Sequence, residues 1–201
     1  EHRGFHTTYP ALANALLSIG TYQLRNRATL AGNICNGSPA ADSAPALLVL
    51  GAAINVTGVE GKRVIPICDF FAGVKKTTLK QDEIVTDIHL PDRSNVRTAF
   101  RKQQRIRGHD LAIVNVAAAY SRHEKTIRLA IGSCAPTPVL LDPIAVDSAN
   151  TDIFIGHVID VVSASVSPIS DVRASANYRK AVLPILVRRI LTELMSDGGG
   201  S

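Results

Sequence analysis

Residues 97–135 read RTAFRKQQRIRGHDLAIVNVAAAYSRHEKTIRLAIGSCA, and three runs within them are strand-like: 97–106, 112–122 and 126–135. Each is rich in Val, Ile and Ala, and the runs are joined around Gly108 and through the charged turn His123-Glu124-Lys125. Short connections of this kind join antiparallel neighbours, so the stretch predicts a three-stranded antiparallel meander. On its C-terminal side, residues 153–164 have helical periodicity. Beyond them Ser170-Asp171 opens a long helical segment in which Ala174, Tyr178, Val182, Ile185, Leu186, Ile190 and Leu194 lie near one face. Pro184 sits inside that segment and is expected to kink or split it. Consecutive strands followed by helices place the chain in the α+β class.

On the N-terminal side, residues 52–91 also carry strand signals: AINVTGVEG, KRVIPI, the short CDFFAG, and EIVTDIHLP, which Pro91 ends. Composition changes across residues 91–96. A boundary there divides the chain into a first domain, 1–92, a second, 97–196, and a tail, 197–201, that is a flexible linker by its glycines. Earlier still, residues 10–19 form a short helix with Leu12, Ala15, Leu16 and Ile19 on one side and Gly20 as its stop, and Asp42 and Ser43 cap a helix over 44–50. Between them, residues 22–39 have no sustained period and read as irregular.

Of the 201 residues, 46% are hydrophobic and 19% charged, which is enough for a sizeable core and too little charge for a disordered chain. The net charge of +5 is spread evenly, with 10 basic against 8 acidic residues over 1–100 and 12 against 9 over 101–201. With no polybasic arm, nine aromatics and no Trp, a nucleic-acid partner is not expected. The longest apolar stretch, 44–56, is interrupted by Pro45, Gly51 and Asn55, so no membrane span is expected. No export signal is visible, and Cys35, Cys68 and Cys134 form no CxxC pair, which suits free thiols in a reducing cytoplasm. The six histidines show neither HxH nor HExxH, and there is no G-x-S-x-G elbow, so neither a metal site nor a hydrolytic triad is assigned.

Chemistry is best placed at Thr29-Leu30-Ala31-Gly32-Asn33 and the following Asn36-Gly37-Ser38-Pro39. Small residues let a ligand approach the backbone, exposed amides form anion-binding concavities, and Asp42 can accept hydrogen bonds from ribose hydroxyls. This composition suits a dinucleotide pyrophosphate, and it also suits an ordinary Gly/Asn-rich turn. A second candidate is the basic group Arg101, Lys102, Arg105 and Arg107 with His109 and Asp110, which either neutralises phosphate or forms a solvated face.

Read as one string, residues 23–45, QLRNRATLAGNICNGSPAADSAP, closely resemble the second flavin-binding motif of the molybdenum hydroxylases, RN-x-x-T-x-GG-N followed by SP-x-x-D. More narrowly, they resemble the FAD-binding medium subunit of the xanthine dehydrogenase and carbon monoxide dehydrogenase family. Further matches follow in the family's order: Phe70-Phe71-x-Gly73 with Lys76-Thr77 ahead of Glu83-Ile84-Val85, Phe100-x-Lys102 with Asp110-Leu111-Ala112, Ala135-Pro136-Thr137-Pro138, and the stretch from Asp171 to Arg179. The resemblance implies that the first domain is the second subdomain of a vanillyl-alcohol-oxidase-like FAD-binding domain. The second domain would then be the family's C-terminal one, a three-stranded antiparallel sheet against helices.

It further implies FAD as cofactor, with Thr29, Gly32, Asn33 and Asn36 along the diphosphate, Asp42 on the ribityl or ribose side, Val85 at the adenine end, Lys102 approaching from the second domain, and the loop 105–110 facing the flavin ring. The implied function is electron transfer, from 2Fe-2S clusters on a small subunit through FAD to an acceptor such as NAD, while a large subunit carrying the molybdenum cofactor hydroxylates the substrate. No residue of this chain is then a catalytic acid or base. Two departures stand out. Ala31 takes the first place of the paired glycines, and no earlier glycine loop precedes Tyr22, so the chain is expected to begin after the first flavin-binding subdomain. That absence leaves an alternative, a flavin-free scaffold subunit of a larger oxidoreductase complex.

Overall fold

From the N-terminus the chain forms α1 (Arg3–Thr8), α2 (Pro10–Leu17), α3 (Tyr22–Arg25), α4 (Leu30–Cys35) and α5 (Ser43–Leu50). Then come β1 (Ala53–Gly58), β2 (Gly61–Pro66), a 3-10 turn (Ile67–Asp69), β3 (Phe71–Gly73), β4 (Lys76–Thr77) and β5 (Ile84–His89). The second half holds β6 (Val96–Gln103), β7 (Val114–Ser121), β8 (Thr126–Gly132), β9 (Val139–Leu140), β10 (Ile144–Ala145), α6 (Thr151–Ala164) and α7 (Ala176–Met195). These elements come from a computed structural model that describes residues 3–93, 95–106, 110–147 and 150–196. Arg107, Gly108 and His109 of the expected basic loop, Ser94 at the expected boundary and the tail 197–201 lie outside the described residues.

The meander forms as expected, and two further short strands join it. Strands β6, β7 and β8 pair antiparallel in sequence order, while β9 and β10 both add to β8 and complete a five-stranded sheet. Strand β7 is buried on both faces, and its alternation shows why. Val114, Val116 and Ala118 join Leu129 and Ile131 in a core under α6 and α7, whereas Ala117 and Ala119 join Phe100, Ala130 and the N-terminal helices in a second core. Helix α5, SAPALLVL, is apolar on every side and wholly buried because it lies between this sheet and the rest of the N-terminal half. A separate three-stranded sheet, β2-β1-β5, turns Ile54, Val56 and Ile65 into the same second core.

Three local expectations change. The stretch 22–39 is not irregular throughout: Thr21 and Thr29 accept hydrogen bonds from Leu24 N–H and Gly32 N–H and start α3 and α4. Helices of four and six residues are too short to show a period. The last helix begins at Ala176 and not at Ser170, with Ser175 as its cap, because Asp171 closes a turn of its own by accepting from the N–H groups of Arg173 and Ala174. Its buried face is Arg179, Leu183, Leu186, Val187, Ile190, Leu191 and Leu194, while Tyr178 and Ile185 are exposed. Pro184 does not split it; α7 continues through it as one helix of 20 residues, held along the sheet against β6 and β7. Among the described residues no helix is long and apolar enough to cross a membrane.

Candidate functional site

Thr29, Gly32, Asn33 and Asn36 are spaced so that a single helical face carries all four. Thr29 caps α4, its Oγ1 accepting from the N–H of Gly32 at 2.9 Å, and fully buried Ile34 anchors the opposite side in the core. Gly32 is exposed. A Cβ there would meet only the Thr29 hydroxyl, at 3.1 Å, so the backbone lies bare in the middle of the row. Asn33 Oδ1 accepts from Ser43 Oγ at 2.6 Å, and Asn36 Oδ1 accepts from Lys75 Nζ at 2.9 Å. With each carbonyl oxygen engaged, the amide nitrogens are the ends offered to a ligand, and they are donors.

A turn holds the end of this row. Gly37 has φ of 57°, and a Cβ on it would stand 2.8 Å from the backbone nitrogen of Lys76, so both the conformation and the close approach require glycine. Lys75 N–H donates to Gly37 O at 2.8 Å, which pins the β3–β4 turn to the end of α4 and places an ammonium beside Asn36. Lys75 escapes sequence reading. Its only signal, Val74-Lys75-Lys76 between two short β runs, looks like any solvated turn.

Asp42 stands at the start of α5, yet its side chain does not cap the helix. The carboxylate turns instead to Lys102, whose Nζ donates to Oδ2 at 2.6 Å, and to Asn115, whose Nδ2 donates to Oδ1 at 2.9 Å. Charge-assisted bonds of this kind outweigh a cap. Lys102 Nζ also donates to the carbonyl of Ser18 at 3.0 Å. The ion pair is almost completely buried, with 6% of the lysine side chain and 5% of the aspartate exposed. Burial pushes the Asp42 carboxyl up, and the Lys102 ammonium with the Asn115 amide draws it back. Lys102 is therefore half of a buried ion pair, a state that its place in a basic cluster does not suggest.

Val85 is half-buried on β5, opposite Val56, and β5 packs against α4. Of the basic loop, Arg105 grips Asp110 through Nε at 2.8 Å and a terminal nitrogen at 3.2 Å. A cavity of about 430 Å³ opens between Ser38 and Pro39 of the motif, Lys75, Ser133, and Arg173 and Arg179 of the C-terminal half. Buried Arg179 donates to the carbonyls of Ile113 and Ser133 and, at 2.7 Å, to Asp171. Arg173 holds the other carboxylate oxygen at 2.5 and 3.0 Å. Burial would push Asp171 up, but the Arg173 guanidinium and the N–H groups of Arg173 and Ala174 overcome it and hold the carboxyl well below its usual range. Among the described residues no cluster of His, Cys, Asp and Glu could hold a metal ion.

Residues 2–93 match the FAD binding domain in molybdopterin dehydrogenase, and residues 98–194 match the CO dehydrogenase flavoprotein C-terminal domain. The chain is 32% identical over 201 residues to the xanthine dehydrogenase FAD-binding subunit of Escherichia coli O157:H7, an alignment that covers 95% of this chain and 68% of that protein. The chain belongs to the FAD-binding medium subunits of the xanthine and carbon monoxide dehydrogenases. As a medium subunit it is also similar to the nicotine 6-hydroxylase medium subunit of Paenarthrobacter nicotinovorans, at 34% identity over 92% of this chain and 66% of that one. Its fold matches carbon monoxide dehydrogenase from Hydrogenophaga pseudoflava, solved lacking the Mo-pyranopterin moiety of the molybdenum cofactor, with a TM-score of 0.86 and 27% identity over 96% of this chain and 69% of that chain. The medium subunit is thus an oxidoreductase flavoprotein, and the α4 row, with bare backbone at Gly32 and the Asn33 and Asn36 amides beside it, has the chemistry that an anionic diphosphate requires.

Proposed function

We propose that this medium subunit holds FAD along the exposed face of α4, joins an iron–sulfur small subunit and a molybdenum-bearing large subunit in the cytoplasm, and relays electrons between the clusters and an acceptor such as NAD. Bound there, FAD supplies the redox chemistry between one-electron centres and a two-electron acceptor. The protein supplies position and charge. Gly32 admits the diphosphate to the backbone, and the Thr29 hydroxyl, the Asn33 and Asn36 amides and the Lys75 ammonium meet its charge. The carboxylate oxygens of Asp42 keep lone pairs for ribityl or ribose hydroxyls, and Val85 offers apolar cover for the adenine.

The observation that carries this reading is the orientation of Asn33 and Asn36, whose oxygens are held by Ser43 and Lys75 so that both nitrogens are presented together. The test uses the complete protein purified with its partner chains. It is expected to show the visible bands of oxidised flavin at near one per medium subunit, and Asn33→Asp with Asn36→Asp, which replaces donors by anions beside the diphosphate, is expected to weaken FAD binding by more than about tenfold. A complex without flavin bands would overturn the reading in favour of a scaffold.

A further inference from the structure

One rung of the central sheet carries Lys102, Asn115 and Gly132 side by side, Lys102 opposite Asn115 across β6 and β7 and Asn115 opposite Gly132 across β7 and β8. The rung faces the start of α5. Asp42 stands over Lys102 and Asn115, and the ring of Pro45 lies 3.2 Å from where a Cβ on Gly132 would be. Asn115 is wholly buried in the run VNVAAA, where an amide is expensive to desolvate unless it is bonded. Its nitrogen bonds Asp42, while its oxygen has no hydrogen-bond partner and fills the space that a side chain at residue 132 would need. The amide fits because residue 132 is glycine.

We propose that Asn115 is a positioning residue for Asp42 and that Gly132 seats it, a role that rests on the flavin-binding reading above. Lys102 bonds one carboxylate oxygen, Oδ2, and the Ser18 hydroxyl faces the group from beyond α2. A second donor on the neighbouring strand holds the other oxygen, so the plane of the carboxylate is set by two points of a rigid sheet and its remaining lone pairs keep one direction. The setting reaches the α4 row as well, because Ser43, next in sequence, donates to Asn33. The groups that face Asp42 are Lys102 from β6, Asn115 from β7 and the Ser18 hydroxyl beyond α2.

The test is FAD affinity across pH for the complete medium subunit carrying Asn115→Ala, Asn115→Ser or Gly132→Ala. Each variant is expected to bind FAD about tenfold more weakly at neutral pH. Each also moves the pH at which affinity falls on the acid side upward, since the ionised carboxylate has lost a donor. Asp42→Asn removes that acid step. Gly132→Ala added to Asn115→Ala costs less than Gly132→Ala alone, because the amide it collides with is gone and only the Pro45 ring, at 3.2 Å, remains close. If wild type binds FAD and the folded variants keep both its affinity and its acid midpoint, with only melting temperature altered, the positioning role is overturned alone. Wild type that takes up no FAD overturns the flavin reading with it.

Discussion

In the sequence Lys102 belongs to a basic group with Arg101 and Arg105, but in the folded chain each has a carboxylate of its own. Arg101 pairs with Glu193, Arg105 with Asp110 and Lys102 with Asp42. Only the last pair is almost completely buried. Replacing Lys102 by Met strands a buried carboxylate and is expected to destabilise the protein by about 3–5 kcal/mol in urea unfolding, with most of the loss recovered in the triple variant Lys102→Met, Asp42→Leu and Asn115→Ala, which leaves neither a stranded charge nor an unpaired amide. Little loss in the single variant would mean that water reaches Asp42. The row of Thr29, Gly32, Asn33 and Asn36 along α4 is legible in the sequence because the four form one local string. Lys75 and Asn115 are not, since their contacts with Asn36 and Asp42 span 39 and 73 residues.

Short helices present the same difficulty at the scale of elements. α4 has six residues, too few to be stable alone, and it depends on its cap and on Ile34. Thr29→Ala is expected to cost about 1 kcal/mol and to speed hydrogen exchange at the Gly32 amide, while Thr29→Ser keeps the cap; equal exchange in both variants would show that packing alone holds the turn. The start of α7 was misread because both Ser170-Asp171 and Ser175 have cap chemistry. Asp171 is drawn to Arg173 and Arg179, which leaves Ser175 to accept from Tyr178 N–H. The buried face departs from the expected apolar row for a related reason. An apolar count passes over Arg179, yet that residue is 1% exposed because Ile113, Ser133 and Asp171 receive its donors.

For the whole molecule, the Asp171 cluster ties the head of α7 to the ends of β7 and β8 in the central sheet and gives stability a defined dependence on acid. A carboxyl held below its unfolded value, about 3.9, contributes stability that is complete above that pH and is lost as pH falls through the folded value. Glu83, drawn down to about 2 by Arg63, acts in the same direction. Acid titration of unfolding is therefore expected to show loss beginning below about pH 4, and Asp171→Asn to lower stability at neutral pH while flattening that acid limb. An unchanged limb would assign the loss to other carboxylates. The sequence alone determined the meander, the α+β class and the small polar string of α4, because strand alternation, turn chemistry and a contiguous motif are local properties. The tertiary structure alone decided that β7 is buried on both faces, that Lys102 is buried against Asp42, that Lys75 meets Asn36, and that Asn115 lies between Asp42 and Gly132, because burial and pairing depend on what distant segments bring to the same place.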